Sequence, residues 1–174
     1  MQRRMININI YLIGMMGSGK STIGRILADR LNMSWVDMDD AIEAKGMKIP
    51  EIFEKHGENK FRDIESQVTA ELANSKSLVV STGGGVILRS ENVGLMRTSG
   101  KTVYLQADKS TLIRNLTNGR DHRPLLKDGS LEKKIDDLMV VRANKYISSA
   151  DLVIETKSFS PHELCDQIVK LLKL

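Results

Sequence analysis

The residues best able to do chemistry fall in a few short stretches. In YLIGMMGSGKSTIG (11–24) the pattern G-x-x-x-x-G-K-S is filled by Gly14, Gly19, Lys20 and Ser21. An apolar run precedes it and a helical pattern follows, the context in which such a turn cradles phosphate. Its glycines let backbone N–H groups curl around phosphate oxygens, and the helix N-terminus adds partial positive charge. Lys20 brings a full charge to the outer phosphates, and the Ser21 hydroxyl is a hard oxygen ligand suited to Mg²⁺. Phosphate binding alone does not name a reaction. A guanine-specific switch would need N-K-x-D and D-x-x-G. Here Asn144–Lys145 is followed by Tyr146 and Ile147, and D-x-x-G occurs nowhere.

SWVDMDDAIE (34–43) sets Asp37 and Asp39 just past a second apolar run. Two apart, they point the same way if the chain stays extended, and Asp40 is then free to cap the next helix. Asp37 could hold a water of a Mg²⁺ shell, and Asp39 could hold an acceptor hydroxyl and take its proton. SLVVSTGGGVIL (77–88) ends a third run in Gly83, Gly84 and Gly85, with no carboxylate. Bare backbone there admits a small acceptor closely and offers the Gly84 N–H to its carboxylate. Arg62, in ENKFRDIE (58–65), lies beside the apolar face set by Phe61 and Ile64. It stands three residues from Glu65, so a surface ion pair is the alternative reading. Arg142 aligns with Ile135, Leu138 and Met139, and a guanidinium on an apolar stripe calls for a partner. Two converging arginines suit a carboxylate, which they bind with planar forked hydrogen bonds.

Positioning these groups requires an alternation of strands and helices. Five short β-like runs occur, at 8–13, 34–37, 78–82, 102–107 and 151–156. Between them, helical spacing places Ile23, Ile26, Leu27 and Leu31 on one face, and Phe61, Ile64, Val68 and Leu72 on another. Further patterns run over 109–116 and 131–146. The last helix opens with Ser160 as N-cap, Pro161 in the first turn and Glu163 completing a capping box. The pattern implies an α/β fold whose parallel sheet is covered on both faces. Ligands of such sheets bind at the strands' C-terminal edge, so Lys20, Ser21, Asp37, Asp39 and Gly83–Gly85 should meet in one crevice. NGRDHRPLLKDGS (118–130) is polar and long for a connection, which suggests a lid. We expect one domain over 1–174, with an acceptor-binding segment at about 38–65.

Composition narrows the class. Hydrophobic residues are 41% and charged residues 28% of 174, as in globular rather than disordered chains. No apolar stretch approaches the roughly 20 residues of a membrane span. The net charge of +4 suits an anionic ligand, but aromatics are only 4% and no basic block interleaves with them, which argues against nucleic acid. Cys165, the only cysteine, excludes an internal disulfide and fits a reducing cytoplasm. Its helical spacing with Ile168 and Leu172 points to a buried thiol rather than a nucleophile. Nothing in the pattern calls for a dimer, so a monomer is expected.

Taken together, GMMGSGKST (14–22), DMD (37–39), FRDIE (61–65), GGG (83–85), RPLL (123–126) and Arg142 resemble the shikimate kinase family, from about Ile8 to Leu172. The phosphate loop alone is only moderately specific; the ordered set is highly so. The resemblance implies a three-layer α/β/α P-loop fold like that of the nucleoside monophosphate kinases, with strands ordered 2-3-1-4-5. It implies transfer of the γ-phosphoryl group of ATP, with Mg²⁺, to the 3-hydroxyl of shikimate on the route to aromatic amino acids. Gly17, Ser18, Gly19, Lys20, Ser21 and Thr22 would cradle the phosphates, with Ser21 on the metal and Asp37 reaching it through water. Asp39 would bind the shikimate hydroxyls, and Arg62, Gly84 and Arg142 its carboxylate side. Lid residue Arg123 would reach the ATP phosphates and join Lys20 and Asp39 as a catalytic group. The segment KSFSP (157–161) departs from the family, which often carries an arginine just before that proline, near the adenine. Arg114 and Arg120 are both candidates for the other side of the base, and Met1–Arg4 match nothing in the family. Two rivals stay open: a kinase of the same shape for gluconate or a nucleotide, and a regulator that binds ATP without transfer.

Overall fold

A computed structural model describes residues 6–118 and 130–174. Five parallel strands form one sheet in the order β2-β3-β1-β4-β5. They are β1 (Asn9–Ile13), β2 (Ser34–Asp37), β3 (Leu78–Ser81), β4 (Gly100–Gln106) and β5 (Leu152–Glu155). β1 is central and wholly buried, so its alternating side chains feed two cores. Tyr11 and Ile13 pack with Met38, Phe61, Val80 and Tyr146 on one face. Ile10 and Leu12 pack with Leu27, Val103, Cys165 and Ile168 on the other. Asn9, the polar member of the strand, donates Nδ2 to the carbonyls of Leu72 and Ser75 and accepts from the Leu78 N–H.

The helices are α1 (Lys20–Leu31), α2 (Met38–Glu43), α3 (Ile49–Ala73), α4 (Ser90–Ser99), α5 (Lys109–Asn118), α6 (Leu131–Ser149) and α7 (Pro161–Leu172). α1 and α7 line the second core, while the others line the first. α7 carries the expected capping box, Ser160 Oγ accepting from the Glu163 N–H and Glu163 accepting from the Ser160 N–H. Cys165 is buried there, its thiol donating to the Ile23 carbonyl at 3.6 Å, and burial pushes its pKa up to about 11. No helix among the described residues is long and apolar enough to cross a membrane.

Two departures from the sequence reading, and one packing contact, bear on the site. α3 includes a helical stretch from Ile49 that the spacing did not suggest; it meets the expected helix from 58 at Gly57, whose φ 77° and ψ 174° interrupt the helical path. Behind the glycine triplet, a 3-10 turn (Val86–Leu88) leads into α4, which the spacing did not suggest; within α4 itself only Asn92 and Met96 are buried. α1 carries Gly24 in mid-helix for a packing reason: a Cβ there would lie 2.5 Å from Ser81 Oγ and 2.6 Å from Trp35 Nε1. At that contact Trp35 Nε1 donates to Ser81 Oγ (3.0 Å), Ser81 Oγ donates to the Lys20 carbonyl (2.9 Å), and the Arg25 guanidinium sits 4.4 Å from the indole centroid.

Candidate active site

The C-terminal ends of β1, β2 and β3 converge, and Lys20, Ser21, Asp37, Asp39, Arg62, Gly83–Gly85 and Arg142 line the cavities there. After β1 the chain turns through Gly14 (φ 145°), Gly17 (φ 80°) and Gly19 (φ 91°), left-handed values that disfavour any side chain. α1 then starts at Lys20, whose buried Nζ donates back to the Gly14 and Met15 carbonyls, each at 2.9 Å. Asn115 Nδ2 braces the turn by donating to the Gly17 carbonyl at 2.8 Å. Ser21 Oγ donates to Asp37 Oδ2 at 2.7 Å, so a hydroxyl and a carboxylate oxygen already share one point beside the turn.

At the end of β2 the expectation of an extended D-x-D fails locally. Asp37, not Asp40, is the N-cap of α2, its Oδ1 accepting from the Asp39 N–H at 3.0 Å. The chain is therefore helical from Met38, and Asp39 reaches the cavity from the first helical turn. Capping by Asp37 fixes the carboxylate that holds Ser21 and aims the first turn of α2 in one step.

Each glycine of the triplet faces a different charged side chain. A Cβ on Gly83 would lie 2.7 Å from Glu65 Oε1 and 3.5 Å from Asp39 Oδ1. One on Gly84 would lie 3.4 Å from Arg142 Nη1, and one on Gly85 2.3 Å from Arg62 Nη1. Glu65 and Arg62 leave no room for a side chain at Gly83 and Gly85, whereas at Gly84 a Cβ would make only ordinary contact with Arg142. The Gly84 carbonyl also accepts from the Tyr146 hydroxyl, whose ring stacks on Tyr104 at 4.9 Å. Burial pushes the Tyr146 phenol up to about 12, so it stays a donor.

Arg62 and Glu65 do pair, at 2.8 Å, but in the interior rather than on the surface: Arg62 is 7% and Glu65 1% exposed. Glu58 supplies a second carboxylate to Arg62. Glu65 Oε1 and Arg142 Nε are both buried without a hydrogen-bond partner among the described residues. Burial raises the Glu65 pKa against the pull of Arg62, with Asp39 adding to the rise. An orphaned buried N–H on a guanidinium is expensive unless a ligand completes it. Glu65, Glu58 and Tyr146 are the residues that spacing did not single out as site groups. The i,i+3 and i,i+4 relation to Arg62 was the signal for the two glutamates, with Glu65 also closing the FRDIE stretch, and Tyr146 carried none.

Two cavities open from this edge. One, of about 630 Å³, is lined by Arg62, Glu65, Gly83–Gly85 and Arg142. The other, of about 530 Å³, is lined by Gly17 to Ile23, Thr82, Arg114 and Phe159. Ser21, Asp37 and Asp39 border both. Of the departing segment, Phe159 lines the second cavity while Lys157 turns away to pair with Asp108 at 3.0 Å. Arg123, Arg120, Met1–Arg4 and most of the expected lid lie outside the described residues.

Residues 16–173 match the model of the family described as shikimate kinase. A shikimate kinase of Sulfurihydrogenibium sp. is 43% identical over 166 residues, 95% of this chain and 98% of that one. Among solved structures, shikimate kinase from Acinetobacter baumannii in complex with shikimate superposes with a TM-score of 0.91 at 39% identity, covering 96% of this chain and 93% of that one. The enzyme from Bacteroides thetaiotaomicron superposes with a TM-score of 0.88 at 30% identity, covering 96% and 99%.

Proposed function

The chain belongs to the shikimate kinase family, and on that premise we propose how its own residues transfer the γ-phosphoryl group of ATP to the 3-hydroxyl of shikimate. The products are shikimate 3-phosphate and ADP, in aromatic amino acid biosynthesis. The observation that carries the site assignment is Asp39 on the border shared by both cavities, with Lys20 on one side and two arginines on the other.

ATP takes the cavity under the glycine turn, where Gly17, Ser18, Gly19, Lys20, Ser21 and Thr22 hold its phosphates, and Arg114 and Phe159 flank the base end. Shikimate takes the other cavity, its carboxylate on Arg62, Arg142 and the Gly84 N–H. Asp39 accepts a hydrogen bond from the 3-hydroxyl, orients its oxygen toward phosphorus and receives its proton. As the new O–P bond forms, the bond from the γ-phosphorus to the β–γ bridging oxygen breaks and ADP leaves. Lys20 stabilises charge on the transferring group, and Arg123 is assigned the same role. Phosphoryl transfer of this kind depends mainly on positioning and charge neutralisation.

The pair Ser21 Oγ and Asp37 Oδ2, two hard oxygens 2.7 Å apart, fits Mg²⁺ held by the hydroxyl directly and by the carboxylate through water. Bound there, Mg²⁺ supplies charge neutralisation at the β- and γ-phosphates. The reading takes residues 1–174 as one kinase domain, monomeric and cytoplasmic, with 118–130 closing over ATP.

The test is ADP release from ATP and Mg²⁺ with shikimate, with gluconate, with a panel of nucleoside monophosphates, and with no acceptor. Release is expected with shikimate alone. Release with another acceptor instead would overturn the acceptor assignment, and ATP binding without release under any condition would make the chain a nucleotide sensor.

A further inference from the structure

Arg62, assigned to the acceptor's carboxylate, already has two carboxylates on it. Nη1 donates to Glu65 Oε2 at 2.8 Å, while Nη2 and Nε both converge on Glu58 Oε1, at 3.0 and 3.3 Å. The Nε–Nη2 edge is the fork that matches the two oxygens of a carboxylate. Glu58 fills that fork with one oxygen only, and loosely.

The two glutamates differ in what they are able to do. Glu65 is 1% exposed and lies under the cavity wall, whereas the Glu58 side chain is 55% exposed. Gly57, immediately before Glu58, holds φ 77° and ψ 174°, so Glu58 opens a fresh helical segment instead of continuing one. Nothing lies within 4 Å of where a Gly57 Cβ would be, so the joint has room around it.

Charge makes the same point. The cavity lining carries five carboxylates and four cations, Arg25 and Lys48 among the latter, and Glu58 adds one more carboxylate on Arg62. An acidic acceptor added to that set would deepen a negative excess. Exchange of Glu58 for the acceptor's carboxylate leaves the count unchanged.

We propose that Glu58 is a built-in competitor for the acceptor's carboxylate, holding the Nε–Nη2 edge of Arg62 until the acceptor displaces it into solvent. Every acidic ligand must then outcompete an internal one. A bare carboxylate gains too little to do so. An acceptor that also engages Asp39, Gly84 and Arg142 gains enough, so Glu58 acts as a specificity residue. The inference rests on the assignment of Arg62 and Arg142 to the acceptor.

The test is titration calorimetry of the full chain and its Glu58→Gln and Glu58→Ala variants with shikimate, with benzoate as a bare ring carboxylate, and with ATP. Both variants are expected to bind shikimate about three- to five-fold tighter, the worth of one partly exposed ion pair. Benzoate should gain measurable binding, and ATP affinity, which also reports correct folding, should not change. Weaker shikimate binding in both variants would make Glu58 a brace for Arg62 and overturn the proposal. Unchanged binding would reduce the pair to a solvent contact and overturn it equally. No shikimate binding by the unmodified chain would sink the acceptor assignment itself and this inference with it, a result distinct from either variant outcome.

Discussion

Lys20 and Gly85 show how much of the site rests on single atoms. The Lys20 ammonium is buried and held by the Gly14 and Met15 carbonyls, which fix a full charge at the turn before any phosphate arrives. Lys20→Ala is expected to lower kcat by at least ~10²-fold, about 2.7 kcal/mol of transition-state stabilisation, in a steady-state assay at saturating shikimate. Near-normal turnover would remove Lys20 from the mechanism. Gly85→Ala tests the acceptor side, because its Cβ would fall 2.3 Å from Arg62 Nη1. Arg62 is buried and tied to the buried Glu65, so the two have to shift together. The KM for shikimate should rise at least ~10-fold while that for ATP stays within about two-fold. Equal changes in both would mean the damage is to the fold. The sequence disclosed the residue types and the crevice they share. It did not disclose that Asp37 caps α2, since whether a chain turns helical one residue earlier depends on competing caps of similar strength. Nor did it place the Arg62–Glu65 pair inside, because i,i+3 spacing fixes contact while burial comes from packing over long range.

α7 shows how an element is held and how that hold answers to pH. Its Ser160–Glu163 box satisfies N–H groups that the first turn leaves open. Ser160→Ala should lower stability by about 1 kcal/mol and Tm by roughly 2–4 °C, measured by calorimetry at neutral pH. The backbone N–H of Ser160, and then its side chain, hold the Glu163 pKa below its ordinary 4.5. A depressed folded pKa gives stability that is present above the unfolded value and lost as pH falls through the folded one. The Tm difference between the unmodified chain and Glu163→Gln should therefore close on acidification below pH 4.5. A constant difference down to pH 2 would mean the carboxylate plays no part in the cap. This box, all five strands and most of the helices were legible, because each carries a local period or cap. α4 was not, because few of its residues are buried and its apolar stripe is weak. The first half of α3 was missed because Gly57 marks a break in direction that reads, in sequence, as a beginning.

Across the whole molecule, the sheet order brings β3, with its glycines, beside β1, with its phosphate turn, and sets β2 on the far side of β3. That order places Asp39 between the two cavities, and it was legible only through resemblance, since alternation along a chain does not rank strands across a sheet. The second core is equally a product of the whole. Cys165 lies buried among α1, α7 and the sheet, with its thiol raised to about 11. Ellman's reagent should label it slowly in the native chain and fully in guanidinium, and rapid native labelling would contradict the packing of α7 on α1. The chain has one tryptophan, and it stands under the phosphate turn rather than at a remote surface. All indole emission therefore comes from a single address, wired through the Ser81 hydroxyl to the Lys20 carbonyl and overlaid by the Arg25 cation. A shift of the Lys20 carbonyl on phosphate binding is therefore expected to reach that indole. Adding ATP alone should change the emission without any label, and an unmoved spectrum on saturation would mean that the Lys20 carbonyl keeps its hydrogen bond undisturbed when phosphate binds.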